Sequence, residues 1–428
     1  MRRPWSVLAA FALVAVAALS GAACAGGASP AAAGEIVRSD AAREPADPAV
    51  APQGAAAVAA FGADLYGVLA RDPGNLVFSP YSAAIALAMT RAGAAGDTAV
   101  EMDAVLHADR AGDLHAAFNA LEAALATRPG EYPFGDTTVE LELSTANALW
   151  GQAGFDLEPA FLDRLAAEYG AGMRLVDYID AREQARTAIN AWVAGETNDR
   201  IPELIADGVL NERTRLVLTN AIYLKAPWLH RFDEGATAPA PFLRLDGTAV
   251  EAELMHLGAS MRYGAGDGWQ AVELPYVGEA LSMLAIVPDA GTFDDFESTL
   301  DGETVQAVVD GLTGAHVQLG FPRFEFRTQA KLKPALAELG MPVAFTDAAD
   351  FSLMSPEPLL IQDVVHEAFI AVDEEGTEAA AATAVIVGVT SAPAVSVELT
   401  VDRPFLFVIR DNETGAILFM GRIVDPTA

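Results

Sequence analysis

The sequence is poor in cysteine. It has only one, Cys24, among 428 residues, so no intrachain disulfide can form and the fold must depend on its core. Apolar residues make up 52% of the chain, which allows a large core and argues against general disorder. At this length the chain forms either one large domain or two ordinary ones.

Positive charge is also scarce. Lys plus Arg total 26 against 59 Asp plus Glu, which gives a formal net charge of -33. A chain this acidic is not expected to bind nucleic acid or bare anionic lipid. The simplest interpretation is an acidic surface that favours solubility, because net charge informs solubility and association rather than fold.

Motifs that carry catalysis are missing as well. None of the six histidines lies in a His-Glu-x-x-His arrangement, so a zinc peptidase is unsupported. The sequence has neither a Gly-x-Ser-x-Gly elbow nor a Gly-x-x-x-x-Gly-Lys phosphate loop. We therefore predict no metal site, no cofactor and no enzymatic activity.

The N-terminus resembles an export signal. Arg2 and Arg3 precede an apolar run at residues 7–19, and small residues then lead to Cys24. The run is short for a membrane span. We predict a signal peptide over residues 1–23 and lipidation of Cys24, as in a bacterial lipobox, although Gly21 stands where Leu is commoner. A plain secretory signal and an uncleaved anchor are the alternatives.

Composition divides the remainder of the chain into a tether and one domain. Residues 24–54 are rich in Ala, Gly, Pro and charge without an apolar period, which is typical of a flexible linker. Residues 55–428 are globular throughout and contain no internal repeat. We therefore expect an exported protein, extracellular or in the cell envelope, that is tethered at Cys24 to a membrane surface.

Periodicity predicts helices early in the domain and strands late. Phe61, Leu65 and Leu69 form a helical stripe, and Ser79 followed by Pro80 begins a second helix. Residues 215–224 read as a buried strand, followed by further apolar strands such as residues 405–409. This order predicts an α+β fold rather than alternating βαβ units.

One segment, residues 372–393, is unusual. It begins acidic, passes Gly376, continues with tiny residues and ends with β-branched ones. An Ala-rich helix or a low-complexity loop is the ordinary interpretation. As a strand, however, it would place Thr377 and other small uncharged residues on one face and Glu378 on the other. Because Gly376 offers a pivot without a Cβ atom, the segment could be a solvated loop in one state and a central strand in another.

The sequence from about residue 55 to residue 424 resembles the serpins. Single motifs are weak, but their order over nearly 370 residues is specific. Leu224 and Ala226 stand where the family usually has Phe and Gly, and Arg323 stands where it often has Lys. The motifs are Asn75-Leu-Val-Phe-Ser79-Pro80-Tyr-Ser82, Asn147-Ala-Leu-Trp150, Ile189-Asn190-Ala-Trp192, Leu218-Thr-Asn220-Ala-Ile-Tyr223, Pro322-Arg-Phe324, Val365-His366-Glu-Ala-Phe369 and Asp402-Arg-Pro404-Phe405-Leu-Phe407.

The resemblance implies a metastable fold of three β-sheets and about nine helices with an exposed reactive-centre loop. It also implies a suicide inhibitor, which traps a serine protease as an acyl-enzyme when the cut loop inserts into the largest sheet. The partner would be one protease molecule in a covalent 1:1 complex with a monomer. A non-inhibitory serpin-fold chaperone or binding protein and a cysteine-protease inhibitor are the alternatives. Small residues in the hinge favour inhibition.

Family spacing assigns the working parts of the segment. Counting from Gly376 places the scissile bond at Thr390-Ser391, with Val389-Thr390 as runner-up. Small β-branched residues fit shallow apolar pockets, which favours an elastase-like or subtilisin-like target. The expected hinge is Glu374, Glu375, Gly376, Thr377, Glu378, Ala379, Ala380, Ala381, Ala382 and Thr383.

The resemblance also assigns residues that control opening of the main sheet. Ser79, Ser82, Asn220 and His366 match a polar cluster under that sheet. Trp228 matches a position at the top, where the loop enters. Taken alone, His366 would be read as a satisfied core histidine.

Overall fold

A computed structural model describes residues 34–378 and 396–428 of the chain. The predicted signal peptide (residues 1–23), Cys24, Ala379 to Thr383 and both proposed scissile bonds at Val389, Thr390 and Ser391 lie outside the described residues. In the part described, no helix is both long enough and apolar enough to span a bilayer.

Helices dominate the first half of the described chain, as periodicity predicts. The α-helices are α1 (Ala51–Leu69), α2 (Pro80–Arg91), α3 (Gly96–Val105), α4 (Ala108–Ala111), α5 (Leu114–Leu125), α6 (Pro159–Tyr169), α7 (Arg182–Glu196), α8 (Phe293–Glu297), α9 (Gly302–Gly311) and α10 (Lys333–Leu339).

Strands dominate the second half. They are β1 (Glu35–Val37), β2 (Leu76–Phe78), β3 (Gly130–Phe134), β4 (Thr137–Thr145), β5 (Ala148–Gln152), β6 (Met173–Val176), β7 (Leu216–Pro227), β8 (Ala238–Leu243), β9 (Ala249–Gly266), β10 (Trp269–Pro275), β11 (Leu281–Pro288), β12 (Thr313–Pro322), β13 (Phe324–Lys331), β14 (Asp363–Val372), β15 (Gly376–Thr377), β16 (Ser396–Thr400), β17 (Phe405–Asp411) and β18 (Ile417–Ile423).

The first sheet has the strand order β1-β6-β5-β7-β15-β14-β13. In addition, β4 pairs with the last part of β7, and β3 pairs with β4. Its two central strands, β7 and β14, run parallel. We call the end of the sheet where β7 and β14 finish the hinge end, and the end where they begin the base end. The predicted buried strand corresponds to β7, and almost every one of its residues is buried.

The second sheet has the order β16-β12-β9-β10-β11-β17-β18-β2, with β8 paired to β9. The 18-residue strand β9 is shared by two groups of strands. In one group, β8 and β12 pair with opposite edges of β9, because Leu254 is paired with both strands, and β16 pairs with β12. The other group begins with β10, which pairs with the end of β9, and continues to β2. Counted separately, these groups and the first sheet are the three sheets of the expected α+β fold.

Helix α2 lies between the sheets and explains why the core is continuous. Every residue from Pro80 to Thr90 is buried, and the Ser79 side chain caps the helix by accepting a hydrogen bond from the Ser82 N–H. Pro80 occupies the first turn, where a missing N–H has no consequence. Apolar residues of α1, α2 and both sheets form one cluster around this helix.

The N-terminal region differs from the flexible linker that composition predicts over residues 24–54. From Glu35 onward it is ordered against the body, because β1 pairs with β6 and the Asp47 side chain caps a short turn before α1. Helix α1 begins at Ala51, ahead of the predicted domain boundary. Backbone pairing needs no apolar period, and this explains why the sequence pattern did not reveal the strand.

Candidate functional site at the hinge end of the first sheet

The two central strands of the first sheet separate towards the hinge end. β7 and β14 pair directly from Val217 with Asp363 to Ile222 with Ala368. Beyond that point the short strand β15 lies between them. The sheet therefore contains an opening at its centre, and the chain that follows β14 occupies it.

β15 is antiparallel to both neighbours. Gly376 is paired with Pro227, and Thr377 is paired with Ala226 on one side and Val372 on the other. A tight turn reverses the chain, because the backbone N–H groups of Glu375 and Gly376 donate to Asp373 Oδ1 at 2.8 and 3.1 Å. A Cβ atom at Gly376 would lie 2.4 Å from the Ala226 carbonyl oxygen, so this close approach requires glycine.

Thr377 is held by two aromatic residues beneath the turn. It is 2% exposed, and its hydroxyl lies 2.6 Å from the hydroxyl of Tyr276. The Tyr276 ring is stacked on Trp228 with centroids 4.5 Å apart. Burial raises the pKa of Tyr276 well above its ordinary value, so the hydroxyl stays neutral and can hydrogen-bond to Thr377.

Trp228 stacks on Tyr276 and also holds the turn through two hydrogen bonds. Its indole N–H donates to the Asp373 carbonyl oxygen at 3.0 Å, and its backbone N–H donates to the Glu375 carbonyl oxygen at 2.9 Å. A fully buried tryptophan thus satisfies two carbonyl groups of the reversing chain.

Glu374 is buried but charged. Arg323 forms an ion pair with it, and Thr237 Oγ1 donates to its other oxygen at 2.6 Å. Burial acts to raise the pKa of Glu374, but the hydrogen bonds from Arg323 and Thr237 outweigh burial and hold it below the ordinary value. Arg323, noted in the sequence only as a departure from the family, is therefore a partner of the hinge.

Glu378 directly follows β15. Its φ of 48° lies in the left-handed region, and its N–H donates to the Ala371 carbonyl oxygen at 2.8 Å. Its carboxylate is paired with Arg200, which follows α7 and also lies over the ring of Phe369. Burial raises the pKa of Glu378 above its ordinary value, with Arg200 acting in the opposite direction.

A second cluster lies nearer the base end of the sheet, where β7 and β14 are paired directly. His366 on β14 faces Asn220 on β7, and the two side chains contact each other through His366 Nδ1 and Asn220 Oδ1. The Ser79 N–H donates to His366 Nε2 at 3.0 Å, so the Nδ1 atom carries the proton and donates to Asn220. Burial lowers the pKa of His366 to about 3, so the ring is neutral at physiological pH.

Asn147 completes this cluster. Its Oδ1 accepts hydrogen bonds from Ser82 Oγ at 2.6 Å and from Asn220 Nδ2 at 3.2 Å. The cluster thus joins α2 to both central strands through neutral hydrogen bonds. Separation of β7 from β14 would break the contact between His366 and Asn220.

The structure brings the expected residues into two groups on one seam. Glu374, Glu375, Gly376, Thr377 and Trp228 meet at the hinge end. Ser79, Ser82, Asn220 and His366 meet below them. No group of three or more metal-ligating side chains occurs within residues 34–378 and 396–428.

Sequence reasoning did not single out several residues that contact the hinge. Tyr276, Thr237, Arg200 and Arg323 reach it from positions 51 to 178 residues away in the chain. No local pattern signals such contacts. Asn147 was visible only as part of a longer motif.

Comparison with known proteins identifies the family. The family model "Serpin (serine protease inhibitor)" matches residues 56–426, so the chain belongs to the serpins. The α+β serpin fold expected from the sequence is confirmed. The description of the family names inhibition of serine proteases and no catalytic activity.

Individual relatives agree with this assignment. The chain is 39% identical over 375 residues to an uncharacterised serpin-like protein of Thermococcus kodakarensis, covering 86% of this chain and 85% of the relative. It is 35% identical over 383 residues to the human leukocyte elastase inhibitor, covering 86% and 97%.

Solved structures show the same fold. The native thermophilic serpin tengpin superposes with a TM-score of 0.79 at 26% identity, covering 91% of this chain and 97% of tengpin. Uncleaved ovalbumin superposes with a TM-score of 0.77 at 26% identity, covering 87% of this chain and 99% of ovalbumin.

Proposed function

We propose that this protein is an irreversible suicide-substrate inhibitor of a serine protease and that residues 374–391 form its bait. The observation that carries the proposal is the position of β15. Gly376 and Thr377 are paired with both central strands at the hinge end of a seam whose two strands are otherwise directly paired. Further insertion along this seam would continue an existing strand.

The energetics favour insertion once the bait is cut. The segment from Thr377 to Thr390 would span ~46 Å as a strand at ~3.3 Å per residue. Insertion breaks one ladder, between β7 and β14, and forms two. If about ten net hydrogen bonds form at ~1 kcal/mol each, the gain is on the order of 10 kcal/mol. Uncut, the loop cannot extend this far, because its far end is fixed by β16 beside β12.

The chemistry follows the ordinary first half of proteolysis. The serine oxygen of the protease attacks the Thr390 carbonyl carbon, the peptide bond to Ser391 breaks, and the amine of Ser391 leaves with a proton. An ester then joins the protease to Thr390. Insertion before water hydrolyses this ester carries the protease along the sheet and distorts its active site, which is itself only marginally stable.

Target preference follows from the residues before the bond. Val389 and Thr390 are small, β-branched and uncharged, so they fit a shallow apolar pocket rather than one that binds Arg. Several of the relatives are named leukocyte elastase inhibitors. We propose an elastase-like or subtilisin-like serine protease as the target and a monomeric inhibitor in a 1:1 complex.

The test is separate incubation with an elastase, with subtilisin and with a cysteine protease, followed by denaturing electrophoresis and mass spectrometry. We expect a denaturant-resistant 1:1 adduct and release of a fragment that begins at Ser391. Complete cleavage without an adduct would favour a non-inhibitory serpin-fold protein. An adduct formed only with a cysteine protease would favour the cysteine-protease alternative.

We also propose that the protein is exported and lipidated at Cys24. The support is the basic and apolar leader that ends in small residues directly before the only cysteine. Expression with a labelled fatty acid tests this proposal. We expect label in the wild-type chain and none in Cys24→Ser, and equal labelling of the two would contradict it.

A further inference from the structure

The described part of the segment between the predicted lipid site and α1 is fixed to the body. We call residues 35–47 the N-terminal strap. Its first part, β1, adds an edge strand to the first sheet, with Glu35 paired to Leu175 and Val37 paired to Met173. The strap lies close to the body, because a Cβ atom at Gly172 would be 2.7 Å from the Val37 carbonyl oxygen.

Two helices hold the remainder of the strap. Arg43 donates to Glu122 at 2.6 Å and to Asn119 Oδ1 at 2.9 Å on α5. Asn119 in turn donates to the Glu44 carbonyl oxygen at 3.0 Å. On α6, the Ala167 carbonyl oxygen accepts a hydrogen bond from the Glu44 N–H at 2.8 Å. The strap is therefore fixed at both ends by hydrogen bonds to backbone groups.

The strap begins at the base end of the sheet. Glu35 is level with Leu175, which is level with Gly151, which is paired with Leu216 at the start of β7. β15 lies beside Pro227, the last residue of β7, eleven residues further along this strand. The start of the strap and the hinge are therefore separated by ~36 Å along one sheet.

We propose that the membrane anchor approaches the body at the base end, so that trapping carries the captured protease from the outward pole towards the lipid surface. This inference rests on the proposed inhibitory function and on anchoring through Cys24. Ten residue steps separate Cys24 from Gly34, so the base lies within ~36 Å of the anchor point. The bait lies at the other pole.

The size of the protease determines where it must lie, relative to the lipid surface, after trapping. A compact partner of about 200 residues has a radius of gyration of ~16 Å and so a diameter of ~40 Å. The inserted strand, at ~46 Å, passes the base row of the sheet and places Thr390 beyond it. Because the tether is shorter than the protease is wide, the trapped protease must lie against the lipid surface. The net charge of -33 disfavours a body lying flat on anionic lipid.

Energy transfer between the protease and the bilayer tests the proposal. Because Cys24 is the only cysteine, a maleimide lipid couples selectively to the chain from Cys24 to Ala428 on anionic vesicles that contain an acceptor dye. The donor-labelled protease is added either active or with its catalytic serine replaced by alanine. We expect higher transfer efficiency with the active protease, which is trapped, than with the inactive one, which stays at the bait.

A second anchor position provides the matched control. Glu234 is exposed and lies beside Thr237 and Glu374 at the hinge end. In the double variant Cys24→Ser, Glu234→Cys, the same lipid attaches at the bait pole, so trapping should lower the transfer efficiency instead of raising it. Equal changes from both anchor positions would overturn the proposal.

The strap itself is tested by Arg43→Ala and Asn119→Ala combined with Ile36→Pro, Val37→Pro and Glu44→Pro, because proline cannot donate the backbone hydrogen bonds that hold β1 and Glu44. Release of the strap would extend the reach from the anchor to residue 50, about 90 Å. The rise in transfer should then shrink. An unchanged rise would show that the strap does not set the distance. Adduct formation on a gel distinguishes failure of the proposed orientation from failure of the proposed inhibitory function. An adduct without any change in transfer efficiency overturns only the orientation. If no adduct forms, both the inhibitory function and the orientation are overturned.

Discussion

Both the side chain and the backbone of Thr377 are constrained. It is 2% exposed, its hydroxyl contacts Tyr276, and its backbone pairs with β7 and β14. It is also the residue from which the inserted strand would continue down the seam in the proposed mechanism. Any side chain at this position has to fit between two strands without an aqueous partner.

Thr377→Arg should convert the inhibitor into a substrate. The guanidinium would be buried without a carboxylate partner, and this costs several kcal/mol in a site that now holds a neutral hydroxyl. We expect the protease to cleave the bait while adducts nearly vanish from denaturing gels. Thr377→Ser, which keeps the hydroxyl for Tyr276, is the matched control and should trap as well as wild type. Normal trapping by Thr377→Arg would contradict this account of the hinge.

His366 makes the stability of the native state depend on pH. Burial lowers its pKa to about 3, whereas an exposed histidine titrates near 6.5. Its contribution is fully present above pH ~6.5, because the ring is then neutral in both states, and it is lost as the pH falls towards 3, since only the unfolded chain takes up the proton. The full effect is about 5 kcal/mol.

Denaturation at several pH values tests this prediction. We expect the urea midpoint of the wild type to fall between pH 7 and pH 4.5 by more than that of His366→Gln, which cannot take up the proton. The comparison with this variant removes the contribution of the carboxylates and of His115, whose pKa is also lowered by burial, to about 4. Parallel pH profiles for the two proteins would disprove the role of His366.

At the scale of elements, β15 is a two-residue strand that depends on its flanks. The turn at Asp373 holds the start of this strand, and the ion pair between Glu378 and Arg200 holds its end. Two ladder pairs alone do not make a stable strand. The occupancy of β15 should therefore respond to changes in Arg200, although that residue lies 178 positions away from Glu378.

Arg200→Ala should loosen β15. The half-exposed arginine contributes about 1 kcal/mol to the ion pair, so we expect the amides of Gly376 and Thr377 to exchange hydrogen roughly fivefold faster. Arg327→Ala is the matched control, since Arg327 lies over the same Phe369 ring but is paired with Glu367 rather than Glu378. Equal exchange in all three proteins would show that the ion pair does not hold the strand.

The sequence predicted elements whose pattern is local. The apolar run around Leu218 became β7, and Ser79 with Pro80 begins α2, because burial and capping act on neighbouring residues. It did not predict β1, because an edge strand forms through backbone pairing within a segment rich in Ala and Gly. It also did not predict that Tyr276 and Arg323 reach the hinge, because those contacts exist only after the sheets have assembled.

At the scale of the whole molecule, the two described sheets have different roles. In the second sheet, pairing is continuous from β16 to β2, and strands β11, β17 and β18 are buried along their whole length. The first sheet contains the one seam where a partly formed strand separates two central strands among the residues described. A strand added at this seam would turn a mixed sheet locally antiparallel, with ladders on both of its sides.

Cleavage of the bait should therefore stabilise the whole molecule. Ladder formation on the order of 10 kcal/mol corresponds to an increase in melting temperature on the order of 10 °C for a domain of this size. Calorimetry of the chain before and after a cut at Thr390-Ser391 measures the difference. Thr377→Arg, cut at the same bond, should show a much smaller increase because a buried arginine would disrupt the start of the inserted strand. If both cut proteins melted at the temperature of the intact chain, the seam would not accept the bait, and the proposed mechanism would lose its driving force.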